Sequence, residues 1–314
     1  MHDRLLLYYQ HRYPQARLTD VVRMTDGLAS DVFGFILDTG DGPQELIFKS
    51  YPGGEDAPGK ATSEYTTMRR LAEIGYPVPH VHLCETDSAA CGKPFIIMDR
   101  IRGRVLWDVI TSAPEAEARR LTERFCQLLV DLHALDWRAL EPYDGEACIQ
   151  REIQALRTMA EQSGHPEFVR VVNWLDRQPI ICDRPSLIHR DYHPWNVLLT
   201  DDDRLWVIDW NSEISDARFD LAWTVALMYR AGFVDFSRDV LSIYQQIAGE
   251  VADQPYFDVA ANLRWMMIVL HSIQTGAALR TDALDNFRLM LMPMIQKACV
   301  LVSDITSIPL KIDL

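Results

Sequence analysis

Along the first hundred positions the apolar residues fall into short runs rich in Val, Ile and Phe, punctuated by Gly, Pro and Asp. The runs VFGFILDTG (32–40) and ELIFKSYPGG (45–54), separated by Asp-Gly, predict a β-hairpin. VPHVHLCE (78–85) and KPFIIMDRI (93–101) predict two further strands divided by a polar turn. Between these pairs, Tyr65, Met68, Leu71 and Ala72 recur at spacings of three and four, so 61–74 predicts an amphipathic helix that Gly75 stops. Residues 4–12 predict a short leading helix, ended by Tyr13-Pro14. The first part therefore reads helix, three strands, helix, two strands.

After Gly103 the period lengthens, and 114–135, 150–163 and 166–178 predict helices; helices resume from about Phe219. One island interrupts them, SLIHRDYHPWNVLLTDDDRLWVIDWNSE (186–213). Its apolar runs VLLT and LWVIDW flank three aspartates and predict a second hairpin. His189, Arg190, Asp191, His193 and Asn196 crowd just before the first strand, and Asp209 closes the second between Ile208 and Trp210. A hairpin joining helices does not require such polar groups at its base. A strand that leaves a core and ends in a carboxylate can hold a metal rigidly, and Asp and Asn oxygens suit a hard ion such as magnesium. A second aspartate, set apart from the metal, can accept a proton or orient a hydroxyl.

The run H-R-D-x-x-x-x-N, followed by a strand pair and an aspartate, resembles the protein-kinase catalytic loop and its magnesium-binding aspartate. The fuller string IHRDYHPWNVLL…WVIDW resembles the aminoglycoside phosphotransferase and choline kinase-like family, whose members show H-x-D-x-H-P-x-N before the hairpin and I-D-W or I-D-F after it. The resemblance implies an α+β, two-lobed, protein-kinase-like fold. Residues 1–100 would form a small β-rich nucleotide-binding lobe and 101–314 a larger helical lobe with the catalytic loop and acceptor pocket, hinged at 98–103. It implies Asp191 as the catalytic base that orients the acceptor hydroxyl, Asn196 and Asp209 as Mg²⁺ ligands, and His189 as a brace behind the loop. Leu198 and Ile208 would pack against the nucleotide. Lys49, in LIFKSY, would contact the α- and β-phosphates, with Glu64 as its carboxylate partner; the pairing holds a flexible ammonium in one place. In DGLASDVFGF, Ser30 matches the family's phosphate-loop serine. Asp31 stands where asparagine is usual, and a carboxylate there would repel the nucleotide. Backbone groups from Asp99 to Ile101 would bind the adenine. DARFDLAW resembles D-P-x-x-D-L-A, with Ala217 in the place of proline, and makes Asp220 a structural brace of the catalytic loop. The resemblance runs roughly from residue 20 to residue 275.

Composition narrows the setting. The net charge is −14, shared evenly: residues 1–150 hold 16 Lys+Arg against 23 Asp+Glu, and the remainder 15 against 22. No basic stripe follows a phosphate backbone, so no nucleic-acid partner is expected. An acidic surface favours solubility and tolerates a cationic substrate. The six cysteines form no C-x-x-C pair and no zinc-ligand spacing, as expected of buried thiols in a reducing compartment. His80, His82 and His271 show no partner spacing for a metal. The N-terminus lacks a signal-peptide plan, no apolar run reaches the length of a membrane span, and the cytoplasm is the expected location.

The expected activity is ATP- (or GTP-) and Mg²⁺-dependent transfer of a phosphoryl group to a hydroxyl of a small molecule, with an aminoglycoside-like or other amino-alcohol as the leading acceptor. Macrolides, choline and sugars stay open. Glu213 and Asp216, close to Asp209 in sequence, are candidates to meet a cationic amine. The alternative is a nucleotide-binding pseudokinase or regulatory module; retention of Asp191, Asn196 and Asp209 argues against it. A protein kinase is disfavoured because no activation segment ending in A-P-E follows Asp209. The oligomeric state is left undetermined.

Overall fold

The short apolar runs of the first hundred residues build one antiparallel sheet. In the computed structural model the elements are α1 (His2–Arg12), β1 (Arg17–Arg23), β2 (Asp31–Asp38), β3 (Pro43–Ser50), α2 (Ala57–Glu73), β4 (Val81–Glu85), α3 (Ser88–Cys91), β5 (Phe95–Asp99), β6 (Arg104–Val105), α4 (Leu106–Ser112) and α5 (Glu115–Ala134). There follow α6 (Cys148–Gln162), α7 (Pro166–Asp176), β7 (Pro185–Ile188), β8 (Val197–Leu199), β9 (Leu205–Val207), β10 (Glu213–Asp216), α8 (Ala217–Arg230), α9 (Val234–Ala248), α10 (Gln254–Thr275) and α11 (Leu284–Thr306). The structure describes residues 2–24, 30–51, 56–139, 147–182, 185–275 and 284–312, with backbone alone at 139, 275 and 284–290. The chain divides into two units, 1–106 with 195–212, and 107–194 with 213–314.

In the first unit the sheet order is β1-β2-β3-β5-β4. Alternate residues turn one way, so Phe35 and Leu37 of β2, Leu46 and Phe48 of β3, and Phe95 and Ile97 of β5 close a core with Leu5 of α1. The segment between β4 and β5 is not the bare polar turn the sequence suggests: Asp87 caps the short helix α3 by accepting the Ala89 N–H at 2.8 Å, and Gly92 ends it with φ +88°. Helix α2 begins four residues before the predicted start, with Pro58 in its first turn. Its buried positions, Ala57, Ala61, Glu64, Met68 and Leu71, follow the helical period, and one of them is a glutamate.

The island's hairpin, β8–β9, extends into a three-stranded sheet with β6. This pairing explains why 195–212 groups with the N-terminal unit and not with the helices around it in sequence. The Val207 N–H donates to the Pro77 carbonyl at 2.9 Å, and the ring of Trp210, buried, meets Tyr76 edge-on at 5.8 Å.

The second unit is helical around α8. Phe219, Leu221, Ala222, Trp223, Ala226 and Met228 bury α8 on most sides, with Tyr229 exposed in its last turn, as suits a helix packed by α9, α10 and α11. Asp216 caps it by accepting the Arg218 N–H at 2.9 Å. Strands β7 and β10 pair across the two ends of the island, with Ile188 opposite Glu213. The stretch between Gly103 and Pro114 is mostly ordered as β6 and α4. Among the described residues, no helix is long and apolar enough to cross a membrane.

Gly103 marks the closest backbone approach in the first unit. A Cβ there would lie 3.0 Å from the Leu199 carbonyl oxygen and 3.2 Å from the Leu198 Cβ. Gly103→Ala is expected to cost about 1–3 kcal/mol, read as a lowered urea midpoint. An unchanged midpoint would mean that the β6–β8 contact yields freely.

Candidate active site

Lys49, near the end of β3, lies in the middle of the sheet opposite Ile96. Its Nζ stands 2.8 and 2.9 Å from the two carboxylate oxygens of Glu64 and 2.6 Å from Asp209 Oδ1. Tyr51 completes the cluster, donating its hydroxyl to Glu64 Oε2 at 2.6 Å. Burial works against the ammonium, but the nearby carboxylates of Glu64 and Asp209 more than offset it and hold Lys49 protonated. Asp209 is the open end of this cluster, with 56% of its side chain exposed and a left-handed backbone at φ +63°, a conformation that a non-glycine residue adopts at a cost. The hairpin ties it to Asn196, whose carbonyl accepts the Ile208 N–H at 3.0 Å. Asn196 and Asp209 offer oxygen donors alone, the set a hard divalent cation takes.

Neighbours of this cluster behave less uniformly. Residues 25–29 of the first turn lie outside the described residues, so of the expected phosphate loop only Ser30 onward is seen. Asp31 does not present a bare negative charge: its carboxylate takes Lys93 Nζ and an Arg23 guanidinium nitrogen, each at 2.9 Å. The Lys93 hydrogen bond in particular holds that carboxyl below its ordinary range. At the hinge, Asp99 gives its N–H to His80 and Arg100 its N–H to Glu45. The expected backbone contact to adenine therefore narrows to Ile101 and the hinge carbonyls. Leu198 is half-buried, paired with Val105 and Trp206.

The second unit holds the other residues of the motif. Asp220, in the first turn of α8, accepts the backbone N–H of His189 at 2.7 Å and of Arg190 at 2.8 Å, with His133 Nε2 at 3.4 Å. Burial alone would raise this carboxyl; the His133 contact and the His189 N–H outweigh it and hold it low. Thr224 donates to the Tyr192 carbonyl at 2.6 Å, and Tyr192 to the Phe125 carbonyl at 2.8 Å, so α5 and α8 both fasten the loop. Arg190 takes φ +71° and is anchored by Glu152 at 2.7 Å and Glu213 at 2.9 Å. Asp191, 39% exposed at its side chain, accepts Trp223 Nε1 at 2.9 Å. Its Oδ1 lies 3.3 Å from His193 Nε2, and its N–H donates to His189 Nδ1 at 3.3 Å. Burial pushes the Asp191 carboxyl up; His193, His189 and the indole N–H together hold it below the ordinary value.

Of the two acceptor-binding candidates, neither is poised as the sequence suggests. Asp216 is buried, and both its oxygens receive Arg218, at 2.9 and 2.8 Å; capping α8 is incompatible with reaching an outside amine. Glu213 is paired to Arg190, though 45% of its side chain stays exposed. Several partners escaped the sequence reading: Tyr51, Trp223, Glu152 and Arg264. Their chemistry depends on contacts across 13 to 112 positions, and only Trp223 carried a local signal, next to the DLA string. A cleft beside Asp220 and Trp223 is lined by Glu152, Arg190, Phe219 and Arg264.

The chain is 29% identical over 201 residues to mouse (Mus musculus) acyl-CoA dehydrogenase family member 10, a match covering 59% of this chain and 18% of that one. It is 27% identical over 182 residues to chicken (Gallus gallus) acyl-CoA dehydrogenase family member 11, covering 54% of this chain and 23% of that one. The chain thus spans less than a quarter of these relatives' length. The choline kinase LicA from Streptococcus pneumoniae superposes with a TM-score of 0.64 at 16% identity, covering 97% of this chain and all of that one. The GDP complex of aminoglycoside 2'-phosphotransferase-IIIa gives 0.62 at 18% identity, covering 98% of each. At such identities the likeness shows the fold, which is kinase-like with a small antiparallel β-rich part and a mainly helical remainder. The model of the phosphotransferase enzyme family matches residues 21–256, well over half of the sequence, and the chain belongs to that family.

Proposed function

We propose that the protein transfers the γ-phosphoryl group of ATP or GTP to a hydroxyl of a small molecule. The observation that carries this reading is Lys49 held at 2.6–2.9 Å between Glu64 and Asp209, residues brought together from β3, α2 and the island hairpin. A buried ammonium fixed beside an exposed carboxylate is suited to nucleotide phosphates and the cation they carry. Magnesium bound by Asn196 and Asp209 would neutralise phosphate charge. Lys49 positions the phosphates, and Ser30 and the backbone at Ile101 contribute to nucleotide contact. Asp191 receives the hydrogen bond of the acceptor hydroxyl and sets its line of approach. His189 and Asp220 keep the loop in register. Most of the acceleration then comes from positioning and electrostatics.

The acceptor is read as an amino-alcohol, in keeping with the acidic surface and with the choline and kanamycin ligand classes of the structural neighbours. A second class is suggested by the relatives named acyl-CoA dehydrogenase family members: an acyl thioester carrying a hydroxyl. ADP or GDP release against a panel of aminoglycosides, choline, sugars and hydroxyacyl thioesters separates them. Absence of turnover with every acceptor and with water, while nucleotide still binds, would favour the pseudokinase alternative.

Two variants test the roles. Asp191→Asn is expected to lower turnover by about three orders of magnitude or more, with nucleotide affinity changed less than about threefold; undiminished turnover would end the proposal. Lys49→Met is expected to weaken nucleotide binding by about tenfold or more in a fluorescence titration, because the ammonium is lost and the exposed Asp209 carboxylate is left uncompensated.

A further inference from the structure

Strands β4 and β5 pair around a bulge. Val81 stands opposite Met98 and Leu83 opposite Ile97, so His82 is the extra residue. A bulge bends its strand and re-aims the side chain it carries. Here it brings His82 Nε2 to 2.6 Å from Asp99 Oδ1, at the end of β5. The backbone is pinned at the same place, where the Asp99 N–H donates to the His80 carbonyl at 2.9 Å. The His80 ring lies 4.8 Å from the His82 ring at an inclination of 62°. One nitrogen of each imidazole and one oxygen of Asp99 all fall within 4.8 Å of one another. The three side chains are open to solvent, His82 by 35% and Asp99 by 46%.

We propose that His80, His82 and Asp99 form a binding site for a divalent transition metal of the zinc class, distinct from the magnesium ligands Asn196 and Asp209. Two imidazoles and a carboxylate are donors zinc takes at about 2.0–2.2 Å, with water completing the tetrahedron. Magnesium, which wants oxygen donors, fits poorly. Two donors on one tetrahedral ion stand roughly 3.3 Å apart at those bond lengths. The entering ion therefore replaces the proton between His82 and Asp99 and widens that contact, while His80 turns inward. Exposed rings exchange staggered rotamers at small cost. The sequence spacing of His80 and His82 showed no third ligand for a metal; Asp99 arrives from 17 residues beyond His82 through strand pairing. The site extends beyond the phosphotransfer reading and does not rest on it.

A competing donor set exists in the second unit, Cys148, Cys182 and Asp216, although Arg218 already occupies both Asp216 oxygens. The experiment separates the two. Reduced, chelator-treated protein is titrated with Co²⁺ at neutral pH and read by visible absorption, then challenged with Zn²⁺. One Co²⁺ displaced by Zn²⁺, without a thiolate charge-transfer band, is expected. Affinity should fall at least about tenfold in His80→Ala and in His82→Gln, each matched to the parent in metal-free melting temperature, and should persist in Cys148→Ser. Unchanged affinity in His82→Gln, loss in Cys148→Ser, or a thiolate band would overturn the proposal.

Discussion

A carboxylate placed beyond the reach of water must find donors inside the protein, and Asp220 finds them in the backbone of the loop that precedes Asp191. Its two oxygens take the N–H groups of His189 and Arg190. Each of those groups, buried without a partner, would cost about 1–3 kcal/mol. The geometry is therefore mutual: the loop satisfies the helix's carboxylate and the carboxylate fixes the loop. The left-handed turn at Arg190 is tolerated because this bracket, with Glu152 and Glu213 on the guanidinium, leaves the chain few other paths. Everything that defines Asp191, including the indole and imidazole that hold its charge, follows from where that turn sets it.

The cluster around Lys49 solves a related problem with opposite charge. An isolated buried ammonium would lose its proton; one between two carboxylates keeps it. Glu64 sits in the apolar stripe of α2, a position that makes sense only with Lys49 and Tyr51 against it. Asp209 differs from Glu64 in exposure, and that difference divides their work. The enclosed carboxylate fixes the lysine, and the open one is accessible to a cation and phosphates.

The charges in the second unit's cleft are more balanced than the overall acidity suggests. Glu152 is shared by Arg190 and Arg264, and Glu213 also turns to Arg190. Net charge describes solubility and long-range attraction, whereas the groups facing a bound acceptor are set by local pairing.

The sequence by itself determined the longer elements and the reaction class. Apolar periods of two and of three to four gave the sheet strands and the long helices, because that periodicity follows from backbone geometry within a few residues. The fixed spacing of Asp191, Asn196 and Asp209 is likewise local, since one loop and one hairpin carry all three. Tertiary structure alone decided the partners. That Asp216 caps a helix, that Glu213 answers Arg190, that Asp31 is neutralised by Lys93, and that the island hairpin joins β6 all depend on contacts between segments distant in the chain. A bulge one residue wide placed His82 against Asp99. Such pairings leave no local pattern, because a charged side chain written at one position looks the same whether solvent or a distant residue answers it.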